Sequence, residues 1–220
     1  MEIKSNESNS KIEQLRREYA REELLEENVS KDPVDQFATW FEQALQSEVV
    51  EPNAMSLATA GSDGNPSVRI VLLKGFDKDG FRFFSNYQSR KGKELDVNPN
   101  ASLCFFWPEL ERQVRLEGSV EKISREESEE YFHKRPRLSQ IGAWASNQSE
   151  EVISREELEE RFQKLKKKYE DNAIPVPEYW GGYLLKPSSM EFWQGRRGRL
   201  HDRLIYVNEA NEWTIKRLAP

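Results

Sequence analysis

From Ala54 onward the chain is a succession of short apolar runs separated by turn signals, and this punctuation limits the fold more than any other feature. Ala54 to Ala60 ends on Ser62-Asp63-Gly64-Asn65, and Val68 to Lys74 is followed by Asp77-Lys78-Asp79-Gly80 and a run from Phe81 to Ser85. Such Asp, Asn and Gly clusters supply the positive φ angles and local hydrogen bonds that tight reversals need. Further runs at Ala101 to Trp107, Gln113 to Ile123, Gly182 to Leu185, Leu204 to Val207 and Trp213 to Arg217 extend the series. Hairpin-like spacing between several of them predicts an antiparallel sheet rather than βαβ units. Closure of that sheet into a barrel would remove its exposed edges. The expected class is mainly β, with flanking helices.

Helices are announced by their caps. Ile123-Ser124-Arg125-Glu126-Glu127 and Ile153-Ser154-Arg155-Glu156-Glu157 each place serine at an N-cap and glutamate three residues later. The second helix runs to about Tyr169, with acidic residues at its start and Lys164, Lys166, Lys167 and Lys168 at its end, as the helix dipole prefers. That lysine run reads as a solvated helix end. Upstream, Asp32-Pro33 opens a helix with Phe37, Trp40, Phe41, Ala44 and Leu45 at helical spacing. Lys11 to Glu27 is charged and helix-favouring, with Ile12, Leu15, Tyr19 and Leu24 as a thin apolar stripe that needs a partner. The expected organisation is a disordered tail over 1–10, N-terminal helices over 11–53, and a β domain with inserted helices over 54–220.

With 33% charged residues and a net charge of −6, the chain is acidic, which argues against general nucleic-acid binding. No apolar run approaches the roughly 20 residues a membrane span needs. Met1 to Ser10 lacks the apolar core of a signal peptide, and the lone Cys104, in an apolar run that reads as buried strand, cannot form an internal disulfide. A cytoplasmic protein is expected. Two histidines far apart in sequence, with no Cys/His pair at ligand spacing, leave no metal site to predict.

Against this acidic background four cationic clusters stand out. Arg69 and Lys74 end the run Arg69-Ile70-Val71-Leu72-Leu73-Lys74, which is apolar enough to predict burial on both faces. Ser89-Arg90-Lys91-Gly92-Lys93 follows a predicted strand and opens a helix, a reasonable phosphate cradle without a Walker pattern. Tyr131-Phe132-His133-Lys134-Arg135-Pro136-Arg137-Leu138-Ser139 interleaves cations with hydroxyls. Finally, Glu191-Phe192-Trp193-Gln194-Gly195-Arg196-Arg197-Gly198-Arg199-Leu200-His201-Asp202-Arg203 sets four arginines and one of the two histidines behind two aromatic residues. Each alone is explained by solvated or snorkelling side chains. Two phosphorylated ligands with flat rings would explain all four, because guanidinium forks match phosphate and aromatic neighbours stack.

In this order the motifs closely resemble the pyridoxine/pyridoxamine 5′-phosphate oxidases, from about Leu15 to Pro220. The likeness also includes Arg16-Arg17-Glu18-Tyr19, Glu111-Arg112-Gln113, Gln148-Ser149 and the terminal Arg217-Leu218-Ala219-Pro220. It implies an FMN-binding split β-barrel working as a homodimer, with two FMN sites at the subunit interface and neither chain holding a complete site. By position, Arg69, Ile70, Val71, Leu72, Leu73, Lys74, Phe84, Ser85, Arg90, Lys91, Gln113, Gln148, Ser149, Trp193 and Arg203 resemble the flavin-binding set. The substrate phosphate falls to Lys74, Tyr131, Arg135 and Ser139. Arg199, Leu200 and His201 meet the pyridine ring, with Arg199 and His201 as the catalytic pair, while Arg16, Arg17, Glu18 and Tyr19 close over it as a lid.

The implied reaction is FMN-dependent oxidation of pyridoxine or pyridoxamine 5′-phosphate by dioxygen to pyridoxal 5′-phosphate. It yields hydrogen peroxide, and ammonia from the amine, in vitamin B6 biosynthesis and salvage. Other split-barrel flavoproteins leave the second phosphate cluster unexplained, and a carrier of pyridoxal phosphate predicts binding without turnover. One departure stands out: Arg196-Arg197-Gly198 carries more cations than the family pattern. These arginines either strengthen anion attraction or face water, and Arg196→Ala is expected to do little, a large loss marking the departure as functional.

Overall fold

The computed structural model describes residues 18–210 and 212–220. The predicted punctuation becomes nine strands: β1 (Ala54–Ala60), β2 (Pro66–Leu72), β3 (Gly75–Asp77), β4 (Gly80–Asn86), β5 (Asn100–Trp107), β6 (Arg112–Lys122), β7 (Trp180–Gln194), β8 (Asp202–Glu209) and β9 (Glu212–Arg217). All pair antiparallel in the order β2-β1-β5-β6-β7-β4-β3, with β8 and β9 extending from β7. Five helices accompany them: α1 (Pro33–Gln46), α2 (Arg90–Val97), α3 (Arg125–Lys134), α4 (Arg137–Ala145) and α5 (Arg155–Lys168).

Strand β7 explains why the sheet curls and forks. Its first half pairs with β4 and its second half with β8, while β6 runs along both. The change falls at Lys186-Pro187-Ser188, opposite a register shift between Glu117 and Gly118. Pro187 has no N–H to donate there, and a Cβ on Gly118 would meet the Lys186 carbonyl oxygen at 2.0 Å. A glycine bulge facing a proline bends the ladder and sends the two halves to different neighbours. Gly182 to Leu185 was therefore too short an expectation. The strand continues to Gln194, so the basic segment begins only at Gly195.

Helix α1 fills the concave side. Asp32 caps it by accepting from the Val34 N–H at 2.8 Å, with proline at the first position. Its Phe37 is fully buried, and its ring lies 4.9 Å from Phe81 and 5.1 Å from Phe105. Trp40 and Ala44 share that core with Leu57, Leu103, Leu116 and Phe192. A smaller cluster of Phe132, Ile141, Tyr169, Ile174 and Trp180 lies beneath α3 and α4. Both predicted serine caps form: Ser124 Oγ accepts from Glu127 N at 3.1 Å and Ser154 Oγ from Glu157 N at 3.2 Å.

Three expectations need correction. The helix over Lys11 to Glu27 is absent across its described part, where only Glu26–Asn28 forms a 3-10 turn. Its main-chain donors turn to the sheet instead: Ala20 N and Arg21 N donate to the Glu111 carboxylate, and Leu24 N donates to Asp202. Strand β2 is not buried on both faces, because it is an edge paired only with β1, and Val68 and Ile70 are 69% and 65% exposed. Cys104 is half-buried, on the same outward sheet face as the exposed Phe106. Among the described residues no helix is long and apolar enough to cross a membrane.

Candidate functional site

Three of the four cationic clusters meet in one cleft of about 990 Å³. Strand β2 contributes Arg69, Ile70, Val71 and Leu72; β4 contributes Phe84 and Ser85; the start of α2 contributes Arg90 and Lys91. Lys74 follows β2, Tyr131 comes from α3, Ser139 from α4, and Arg135 from the junction between those helices. Gln148 and Ser149 complete the predicted residues lining it. Six cations line the cleft (Arg69, Lys74, Arg90, Lys91, Lys134 and Arg135), and among the described lining residues no carboxylate does. A cavity wall with that imbalance, in a chain of charge −6, concentrates positive potential where an anion can enter.

Local structure positions each donor. Ser89 caps α2 through the Gly92 N–H, and Gly92 must be glycine because a Cβ would meet the Tyr87 carbonyl oxygen at 1.9 Å. This close fit points Lys91 inward. Its buried ammonium donates to Ser85 Oγ and Ser89 Oγ at 3.1 Å and to Gln148 Oε1 at 2.8 Å. Burial, reinforced by the charge of Arg69, lowers its pKa to about 8 against the opposing pull of Glu94.

Arg69 donates to the Leu57 carbonyl at 3.2 Å, to Thr59 and Ser67, and to Glu94 at 3.4 Å. Glu94 also pairs with Arg90 at 2.8 Å. Burial opposes its ionisation, but hydrogen bonds from Ser67, Thr59 and Arg90 outweigh that and hold the carboxyl at about 2. Glu94 therefore stays anionic behind the cleft and holds two arginines near each other. Sequence reasoning missed it; its spacing of four residues after Arg90 on a helix is the signal that could have found it.

On the other wall, Phe84 stacks on Tyr131 at 3.9 Å between ring centroids and on Trp180 at 5.5 Å. The Arg135 guanidinium lies 4.7 Å from the Trp180 ring, a cation–π contact. Its Nη1 is buried without a hydrogen-bond partner. An orphaned guanidinium donor in the cleft that Lys74 and Ser139 also line fits a phosphate oxygen, and the Arg69, Arg90 and Lys91 group fits a second phosphate. The donor set thus suits a phosphorylated flavin and a phosphorylated substrate.

The remaining predicted residues gather elsewhere. Gln113, Trp193 and Arg203 form one cross-strand row over β6, β7 and β8, continued by Phe106 on β5. Arg203 makes a two-pronged contact with the buried Glu191, at 2.8 and 3.1 Å. Leu73 instead turns into the core, 5% exposed, away from the cleft. His201 sits 4.7 Å from the Trp193 ring, and Tyr19 meets both rings edge-on at 5.7 and 5.9 Å. A Cβ on Gly195 would strike the Tyr19 ring at 2.7 Å, so glycine there admits the tyrosine.

His201 Nδ1 accepts from the Arg196 main-chain N–H at 3.0 Å, which leaves Nε2 to carry the proton of the neutral ring. Burial, then the charge of Arg199, lowers its pKa below the ordinary histidine value. Gly198 and Arg199 are both left-handed, at φ 63° and 62°. For arginine this is an uncommon conformation, and it projects an exposed guanidinium from the turn beside His201. Ser149 shares it at φ 74°. Glu18 is exposed at the start of the described chain; Arg16 and Arg17 lie outside the described residues. Glu111 and Arg112, whose roles were not anticipated, hold the segment after Tyr19 through Ala20, Arg21 and Glu22.

Comparison with known proteins identifies the family and the fold. Residues 41–169 match the family described as pyridoxamine 5′-phosphate oxidase, and residues 180–220 match the pyridoxine 5′-phosphate oxidase C-terminal dimerisation region. A pyridoxine/pyridoxamine 5′-phosphate oxidase of Salinibacter ruber is 56% identical over 96% of this chain and 100% of its own. One from Rubrobacter xylanophilus is 55% identical over 94% and 95% respectively. Among solved structures, PhzG from Burkholderia lata, in complex with tetrahydrophenazine-1-carboxylic acid, superposes with a TM-score of 0.86 at 32% identity, over 91% of this chain and 100% of that one. A pyridoxamine 5′-phosphate oxidase-related, FMN-binding protein of Nostoc punctiforme shares the fold, with a TM-score of 0.70 at 19% identity, over 87% of this chain and 100% of that one. The chain belongs to the pyridoxamine 5′-phosphate oxidase family.

Proposed function

We propose that this protein oxidises pyridoxine 5′-phosphate and pyridoxamine 5′-phosphate to pyridoxal 5′-phosphate, using FMN and dioxygen, as a homodimer in the cytoplasm. The observation that carries the reading is the cleft with six cations and no carboxylate among its described lining residues. FMN, when bound, supplies the electron acceptor and passes electrons to dioxygen, with hydrogen peroxide as the product and ammonia released from the amine substrate.

The chain's own residues bind, orient and enclose. Arg69, Arg90 and Lys91 hold the cofactor phosphate, with Glu94 keeping the two arginines in place. The β2 segment Ile70 to Leu73, with Phe84, Ser85, Gln148 and Ser149, walls the cofactor, and Leu73 acts through main chain because its side chain is in the core. Lys74, Tyr131, Arg135 and Ser139 take the substrate phosphate; the unpartnered Arg135 Nη1 is the donor that gains most from it.

Arg199 and His201 orient the pyridine ring, His201 as a neutral donor through Nε2, while Tyr19 with Glu18, Arg16 and Arg17 covers it. The row Gln113, Trp193 and Arg203 faces outward with Phe106 on a sheet side that also carries exposed Val68 and Ile70. A second copy seated on that side would bring one chain's row to the other's cleft, so that each site draws on both subunits. The single cysteine, which leaves no internal disulfide, supports the cytoplasmic setting.

The test follows peroxide release with pyridoxine phosphate, pyridoxamine phosphate and their unphosphorylated forms. Oxidation confined to the phosphorylated pair supports the reading. Equal rates with and without phosphate remove the assignment of Lys74, Tyr131, Arg135 and Ser139.

A further inference from the structure

Of the two arginines that the family pattern left unexplained, Arg197 is exposed, whereas Arg196 is partly buried against the chain and lies outside the anion cleft. Between Tyr19 and Leu25 the chain crosses the ends of β6, β7 and β8 without regular secondary structure. Such a strap keeps its place only through groups outside itself. Glu111 and Asp202 accept from three of its main-chain N–H groups. Arg196 takes the middle. Its Nη1 donates to the Glu22 carbonyl at 3.1 Å and its Nη2 to the Glu23 carboxylate at 2.5 Å, while Nε lies 3.7 Å from Asp202. The same residue's main-chain N–H donates to His201 Nδ1 at 3.0 Å.

We infer that Arg196 is a positioning residue for substrate capture: its side chain latches the strap that carries Tyr19, while its main chain orients His201 beneath that tyrosine. The inference rests on the proposed roles of Tyr19 and His201 at the substrate. Its two halves are separable. Replacing the side chain loosens the middle of the strap, still held at its ends by Glu111, Arg112, Asp202 and Arg217, but leaves the N–H on His201 intact, so Arg196→Ala weakens capture and spares the step that follows. Glu23 is the strap-side partner, and Glu23→Ala, which removes only an exposed carboxylate, reproduces the effect without touching the turn.

The experiment uses the full-length, FMN-loaded protein. Tryptic cleavage after Arg21, followed by mass spectrometry, reports strap release directly, and peroxide release with pyridoxine phosphate gives KM and kcat. In Arg196→Ala, cleavage after Arg21 accelerates about three- to tenfold and KM rises by a similar factor, the range for a half-exposed charged hydrogen-bonding pair, with kcat unchanged. Glu23→Ala does the same, and exchanging the charges (Arg196→Glu with Glu23→Arg) restores part of both. Unchanged cleavage in both single variants overturns the latch, whatever happens to turnover. A fall in kcat at constant KM overturns the role in capture. Faster cleavage in a protein whose wild type oxidises neither phosphate would keep the latch and remove the functional reading instead.

Discussion

The anion cleft and the strap end are built from similar residues by different means. In the cleft, Arg69, Lys91 and Arg135 project from a strand, a capped helix and a helix junction, and their charges are half-buried or buried. Their positions follow from hydrogen-bonded backbone, and Glu94, Gln148 and Trp180 fix them further. At the strap end, Arg196, Arg199 and Arg217 act on or from irregular chain, and most of their acidic partners are exposed. The cleft is preorganised and expensive to deform. The strap is held by separable contacts, each weak by itself, which suits the covering role proposed for it.

The largest effect expected from this contrast is at the exposed arginine of the turn. Arg199→Met lowers kcat by about a hundredfold or more, the usual cost of losing a charged donor at a reacting centre, while FMN stays bound. Loss of flavin in that variant, read from the absorbance spectrum after gel filtration, would move Arg199 to the cofactor side and blur the division. In the cleft, Lys91→Met weakens FMN binding by about thirtyfold, from loss of a buried charged donor at about 2 kcal/mol, with KM for substrate little changed. Fluorescence titration checks it.

A pH series sharpens the same point. Lys91 is protonated below about 8 and neutral above it, so FMN affinity is full at neutral pH and begins to fall as pH rises through that value. Lys91→Arg, always charged, flattens the curve. Ionic strength separates the two regions by a smaller effect. Near 1 M salt, where the screening length is about 3 Å, cleavage after Arg21 accelerates because the strap's own carboxylates, Glu22 and Glu23, are exposed, while the buried Lys91 contacts change little. The smallest effect is a control: Lys216→Ala breaks an exposed pair with Glu209 on the far hairpin and leaves binding, turnover and strap cleavage unchanged.

The same division governs how much could be read from the sequence. Strand positions, the serine caps of α3 and α5, and the α1 stripe were legible because each is a local pattern with a local cause. The three cleft clusters were recognisable as cations beside aromatic and hydroxyl groups, although only the fold brings them together. The strap was misread because Lys11 to Glu27 has good helix formers, and nothing local reveals that Glu111 and Asp202 claim its N–H groups from 90 to 178 residues away along the chain. Helix α4 was hidden inside the cluster from Tyr131 to Ser139, because Pro136 ends one helix and begins the next. The apolar stretch Ile70 to Leu73 suggested burial on both faces, whereas in the single chain β2 is an edge whose Val68 and Ile70 stay exposed.

The central claim is that the cleft is built for phosphate. The most direct test titrates the flavin-free protein with FMN and with riboflavin, which differ only in that group, and follows quenching of flavin fluorescence. FMN is expected to bind at least about a hundredfold tighter, as several charged hydrogen bonds to one phosphate require, with inorganic phosphate competing against it. Equal affinity for the two flavins would contradict the claim.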